Sequence, residues 1–244
     1  THVALLDNYR KNAFTLAEIL ITLGVIGIVA ALTLPSLLTN IQNKGYVEGL
    51  KKTYSVLQAA TTSIVYEEGS PDTWPIYTDS DDSGIDYILD LYRKHLNPYC
   101  SGNIALYWGD QTFCNGIKIP DYRDLSGKET AKGLTRTSLF IYSYPFILND
   151  GTIVGIHFFN RPTIWGSPDI TFVVDVNGIK GPNKLGRDVF FLYMNKKDKS
   201  GKILPYTDVI IGNGAQIDHR DTCDRDKPGY SCAYRVITEG KMNY

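Results

Sequence analysis

The sequence contains little that would support catalysis. Its four histidines, His2, His95, His157 and His219, are scattered and show no H-E-x-x-H spacing. There is no G-x-S-x-G nucleophile elbow and no G-x-x-x-x-G-K-[ST] phosphate loop. The glycine-rich stretch from Gly178 to Gly186 follows a turn and precedes a strand, the wrong setting for a phosphate cradle. No residue can be named for an enzyme, and His157, inside an apolar strand, reads as a packed side chain. An excess of one charge is also lacking. Lys and Arg number 25 against 26 Asp and Glu, a net charge of -1, which excludes a generally basic nucleic-acid binder. None of the four cysteines lies in C-x-x-C spacing, so the common zinc and thiol-redox motifs are absent.

The most informative absence is local. From Ile19 to Thr39 there is no charged residue, and at about 1.5 Å of helical rise per residue this run is long enough for the roughly 30 Å hydrocarbon core of a bilayer. Arg10 and Lys11 precede it, so the positive-inside tendency keeps the short end in the cytoplasm and sends the long C-terminal part across. A secretory signal has a shorter apolar region, about 7–15 residues, followed by a cleavage site. An ordinary one-span anchor fits the length but leaves Glu18, at the start of the run, without a partner on its own span.

Arg10-Lys11, Asn12-Ala13 and Phe14-Thr15-Leu16-Ala17-Glu18, followed by the unbroken apolar run to Leu38, resemble the processing and assembly signal of type IV prepilins and type II secretion pseudopilins. The resemblance implies that a prepilin peptidase cuts between Ala13 and Phe14 and methylates the new amino group. It also implies that the Phe14 amine of a neighbouring subunit pairs with Glu18. Such a pair acts mainly as a register device, because desolvation offsets much of its Coulomb attraction while an unpaired Glu18 in an apolar setting is costly. The family usually has Gly before the cut. Ala13 departs from that pattern, a small substitute expected to be processed more slowly. Pro35 falls where the family commonly has a proline that lets the helix loosen in a filament, although a membrane helix also tolerates such a kink without an assembly role. The chain begins at Thr1, so the true start is expected to be missing and residues 1–13 read as a leader remnant.

Beyond Leu38 polarity rises but the helical period continues. Val47, Leu50, Tyr54, Leu57, Thr61 and Ile64 form one apolar stripe, with Lys44, Glu48, Lys51, Lys52 and Gln58 off it. Gly69 and Pro71 stop the helix. Unbroken from Phe14 to Glu68, it would be about 80 Å long. Residues from Ser70 to about Asp86 read as a loop, and Ile85 to His95 as a helix with Ile85, Ile88, Leu89 and Tyr92 on one face. Asp79, Asp81, Ser83, Gly84 and Asp90 fall at EF-hand calcium spacing, but Asp86 replaces the usual apolar residue and a solvated acidic loop is the preferred reading.

Strand patterns begin at Ser138. Leu139 to Tyr144, Thr152 to Phe159 and Ile170 to Val176 are joined at Asp150-Gly151 and Asn177-Gly178, both read as hairpin turns. The resulting antiparallel meander is the natural cover for the Val47 to Ile64 stripe. Outside the cytoplasm the four cysteines are expected as disulfides. Of three possible pairings the two local ones are expected, Cys100 with Cys114 and Cys223 with Cys232. The segment from Asp175 to Phe190 is similar to a stretch of pseudopilin-like heads, some of which bind calcium. Asp175, Asn177, Asn183 and Asp188 could supply oxygen ligands there, and turn chemistry explains the same residues without a metal. Beyond Ile211 the tail reads as irregular.

These readings converge on an α+β chain: a long N-terminal helix packed by its second half on a small antiparallel β-sheet head with disulfide-closed loops. The expected divisions are residues 14–39 as transmembrane and assembly half, 40–69 as amphipathic half, and 70–244 as extracytoplasmic head. The resemblance implies a structural subunit of a pilus or secretion pseudopilus, resident in the bacterial inner membrane before it joins a filament in the periplasm or at the cell surface. Its implied partners are copies of itself or related pilin-like subunits, prepilin peptidase, the membrane and the filament assembly machinery. No cofactor is required, and calcium is the one ion the sequence admits. A membrane-anchored binding module is the competing reading, with Trp74, Trp108 and Trp165 as ligand contacts.

Overall fold

The computed structural model describes residues 15–77, 83–102, 112–114, 116–118, 120–127, 143–158, 170–195, 198–206, 208–211, 215–218 and 222–244. The chain divides into two compact units, Thr1–Gln42 and Asn43–Tyr244. Helix α1 is continuous over Leu16–Glu68 and includes Pro35. Its residues in the first unit are almost uniformly exposed, Leu32 at 75% among them. That stretch is long and apolar enough to cross a membrane. Its hydroxyls are turned back onto the helix backbone: Thr22 donates to the Glu18 carbonyl, Thr33 to Val29, Ser36 to Thr33 and Thr39 to Pro35, each at 2.9 Å. A helix in an apolar solvent needs this, since no water is present to satisfy them.

The second unit is built on a six-stranded antiparallel sheet in the order β1-β4-β5-β6-β7-β8. Its strands are β1 (Cys100–Ser101), β4 (Tyr144–Ile147), β5 (Ile153–Phe158), β6 (Ile170–Asp175), β7 (Val189–Met194) and β8 (Ile203–Pro205). Two further pairs, β2 (Thr112–Phe113) with β3 (Ile117–Lys118) and β9 (Asp208–Ile211) with β10 (Ala215–Asp218), stand outside it. Helix α2 covers Ser83–Leu96 and α3 covers Cys232–Glu239.

Strand alternation sorts the sheet into two faces. Phe146, Val154, Ile156, Phe172, Val174, Phe190 and Leu192 join the main core with Val47, Leu50, Leu57 and Ile64 of α1 and Ile88, Leu89 and Tyr92 of α2. The α1 stripe is the expected one with Thr53 and Ala60 added, and Leu57 is 0% exposed. Thr61 is tolerated in the core because its hydroxyl meets that of Tyr92 at 2.8 Å. The opposite face carries Ile147, Ile153, Val173 and Val189 beneath Tyr122.

Helix α1 also binds the sheet through polar groups. Gln58 accepts the Ile203 N–H at 2.8 Å and donates to the Gly201 carbonyl, and the Tyr54 hydroxyl donates to the Ile203 carbonyl. These contacts occupy backbone groups of the edge strand β8 that would otherwise be open to pairing. Lys52, exposed as expected, also forms a 2.7 Å ion pair with Asp150 in the β4–β5 turn.

Several expectations are corrected. Of the strand expected over Leu139 to Tyr144, residues 139–142 lie outside the described set, and the strand described here is Tyr144–Ile147. Asp150-Gly151 does close a hairpin, with Gly151 at φ +89°. Asn177-Gly178 does not: β6 ends at Asp175, β7 starts at Val189, and residues 176–188 form a longer connection in which the Asn183 and Lys184 N–H groups go to a side chain described below. The stretch from Ser70 holds short 3-10 turns at Pro71–Thr73 and Pro75–Tyr77. The tail is not irregular, because Cys232 and Val236 of α3 reach the core.

Leu57→Ala is expected to lower stability to urea by about 2–5 kcal/mol, as truncation in a closed core does. Leu32→Ala, at an exposed site, should stay within about 0.5 kcal/mol, and equilibrium unfolding in detergent compares the two.

Candidate functional site: the start of helix 1 and a buried acidic loop

At the first described turn of α1, Thr15 and Glu18 hold each other. The Thr15 N–H and hydroxyl donate to Glu18 Oε2 at 2.8 and 2.9 Å, and the Glu18 N–H donates back to the Thr15 hydroxyl at 3.2 Å. This is a capping box, which satisfies donors that the helix start leaves free. It corrects the reading of Glu18 as a residue with no partner on its own span. Thr-x-x-Glu before an apolar run is the sequence signal for the box, and it was there to be read. Both bonds end on Oε2, so the box leaves the second carboxyl oxygen, Oε1, unused. Ala13 and Phe14 lie outside the described residues.

Residues 8–34 match the family described as the prokaryotic N-terminal methylation motif. This chain carries a prepilin-type methylation signal. The motif belongs to type IV pilin-like precursors, substrates of prepilin peptidase, and it is a structural-subunit signal, not an enzyme's. No curated protein and no solved structure matches the chain. The matched span contains Arg10, Lys11, Ala13, Phe14 and Glu18, and it ends one residue before Pro35.

The second grouping lies in the connection between β6 and β7. Asp175 falls in a cross-strand row with Ile147, Ile153 and Val189, and Asp188 immediately precedes Val189; both are 0% exposed. The Tyr122 hydroxyl donates to Asp175 at 2.9 Å, and the Asn177 N–H to its other oxygen at 3.3 Å. Asp188 accepts the N–H groups of Asn183 and Lys184 at 2.8 and 2.7 Å. Burial, followed by the charge of Asp188, pushes the Asp175 carboxyl well above the usual range. Asp188 is raised mainly by burial. The structure thus brings together the four residues read as oxygen ligands. Tyr122 and Tyr46, whose hydroxyls feel this pair, were missed because nothing local in the sequence marks them.

The other sequence candidates separate. Asp79 and Asp81 lie outside the described residues. Residues 83–90 are helical, not a calcium loop, with Asp90 ion-paired to Arg93. Gly84 is required there by close approach, since a Cβ would lie 2.1 Å from the Pro75 carbonyl oxygen. Trp74 is a core residue whose indole N–H donates to the Gly69 carbonyl, which removes it as a ligand contact; Trp108 and Trp165 lie outside the described residues. Cys100 pairs with Cys114 and Cys223 with Cys232, at Cα separations of 5.8 and 4.8 Å. Among the described residues no three His, Cys, Asp or Glu cluster as metal ligands.

Thr15→Ala should weaken the first turn of α1 by about 1 kcal/mol, read as faster amide exchange at residues 16–19. His157 gives a pH signature. Burial holds its pKa at about 4 against an ordinary 6.5, so unfolding takes up a proton between these values. The stability tied to the neutral ring is complete above pH 6.5 and is lost as pH falls towards 4. His157→Gln should flatten this part of the stability profile in denaturant titrations.

Proposed function

We propose that the protein is a structural subunit of a type IV pilus or a type II secretion pseudopilus. The observation that carries this reading is the methylation motif over residues 8–34, set at the head of an exposed apolar helix. In this reading prepilin peptidase cuts between Ala13 and Phe14 and methylates Phe14. Before assembly the first part of α1 spans the inner membrane with residues 43–244 outside the cytoplasm. In the filament it packs against copies of itself or related subunits, drawn from the membrane by the assembly machinery.

Glu18 then has two partners in sequence. The Thr15 box holds the carboxylate at the helix start through Oε2, and the Phe14 amine of a neighbouring subunit takes the remaining charge. Two unit charges about 4 Å apart attract by about 4 kcal/mol at an effective dielectric of 20, much of it offset by desolvation. The pair therefore selects register more than it contributes affinity. Pro35 marks where the helix can loosen on packing.

The test is the N-terminal sequence and mass of protein recovered from its native membrane or filament fraction. A methylated Phe14 at the start is the expected result. Retention of residues before Phe14 would reject the proposal in favour of an anchored module. Glu18→Ala should still be processed but enter filaments poorly, and undiminished incorporation would remove Glu18 from the mechanism.

A further inference from the structure

We infer that the second unit docks head to tail on a second copy of this chain: the loop tip at Ile179-Lys180 of one copy seats on the surface that Tyr66, Glu68 and Tyr87 form on the next. The inference rests on the filament reading above and names a contact between heads that this reading leaves open. Among the described residues of the second unit, Ile179 is the one large aliphatic side chain left exposed, at 60%. Its loop holds it there. The Asn177 amide donates to the Gly181 carbonyl across the tip at 3.0 Å, and Gly178 is pressed against the Gly151 carbonyl where no Cβ would fit. At the root of the loop Val176 packs on α1, its Cβ 3.2 Å from where one on Gly49 would stand. Ile179 is thus presented on a fixed tip beside the first turns of α1 in this unit.

The last turns of α1 offer the counterpart. Tyr66 is 91% exposed and Tyr87 of α2 is 45% exposed. The Tyr87 hydroxyl donates to the Glu68 carboxylate, and Lys94 donates to both carboxyl oxygens of Glu67 at 2.9 Å, so α2 fixes this surface. The charges are complementary. Lys44 and Lys180, exposed at the first end, have no acidic partner among the described residues, and Glu68 and Asp86 at the second have no basic one. On docking, a lysine and an aliphatic side chain meet a carboxylate and two tyrosine rings. The rings and Ile179 supply the apolar contact, while the charges choose partner and orientation.

One copy cannot make this contact within itself, because the helical rise from Gly49 to Tyr66 separates the two ends by about 25 Å. Copies inserted in one membrane in the same sense have parallel α1 helices, which excludes an antiparallel pair that would satisfy both ends at once. Tip-to-tip pairing would set Lys180 against Lys180. Each docked copy therefore keeps one tip or one tyrosine end free for the next. A contact between two different surfaces that does not close on itself propagates as an open helical filament.

The test places Ile179→Cys and Tyr66→Cys in one full-length chain. The native cysteines are paired as Cys100 with Cys114 and Cys223 with Cys232, so the two new thiols are the only free ones. Filaments treated with a short bis-maleimide should give a ladder of trimers and longer species on a denaturing gel, and each single variant should give none. In a chain without these cysteines, Lys180→Glu should cut filament incorporation by about tenfold, as a like-charge contact at an interface does, and adding Glu68→Lys should restore it. Filaments that begin at methylated Phe14 yet yield no ladder, or dimers only, overturn the inference and leave the filament reading standing. Undiminished incorporation of Lys180→Glu overturns it as well, as does failure of Glu68→Lys to restore assembly. Retention of the residues before Phe14 rejects both.

Discussion

The structure depends on how the apolar surface of one helix is taken out of water. From Val47 to Ile64 the sheet and α2 do this, and burying each Leu, Ile or Val side chain contributes about 1.5–3 kcal/mol. From Leu16 to Leu38 the corresponding side chains are exposed, and the surface they present is too large and too continuous to be left to water. The same helix therefore serves two solvents. Its polar groups follow the division: hydroxyls before residue 40 turn back on the helix, whereas Tyr54, Gln58 and Thr61 reach across to the sheet and α2.

This division bears on how a pilin-like subunit would leave the membrane. Moving a helix from lipid into a bundle of similar helices exchanges one apolar environment for another, so the hydrophobic effect supplies little net drive. Direction must come from work done on the subunit, and register from groups that are costly when misplaced. Glu18 suits the second role because the Thr15 box fixes its position without neutralising it. An unconstrained glutamate would turn toward water near the membrane surface and lose that discrimination.

In the second unit, low dielectric has a different use. Thr61 and Tyr122 are buried polar groups with their bonds made. The connection from residue 176 to 188 breaks that rule at the Asn177 and Asn183 oxygens, with the buried carboxyl groups of Asp175 and Asp188 close by. Folded polar clusters normally satisfy their members, so this connection carries a local cost that Thr61 and Tyr122 do not.

Sequence alone determined the features that follow from local periodicity and composition. The membrane-length run, the α1 stripe, its stop at Gly69, the α2 face and the methylation signal are all patterns within a few turns, and each recurs in the structure or in the family match. The capping box was equally legible at Thr15 and Glu18. Other features were decided only by tertiary structure. Asn177-Gly178 has the composition of a tight hairpin, but Asp188 draws the chain into a longer path by accepting N–H groups from Asn183 and Lys184. The C-terminal helix is short, and its place depends on Cys232 and Val236 finding the core far away in sequence. Tyr122 reaches Asp175 across 53 positions. Periodicity reports which face of an element is apolar, but which distant group covers that face, and which charge is buried beneath it, depends on contacts that exist only once the sheet has formed.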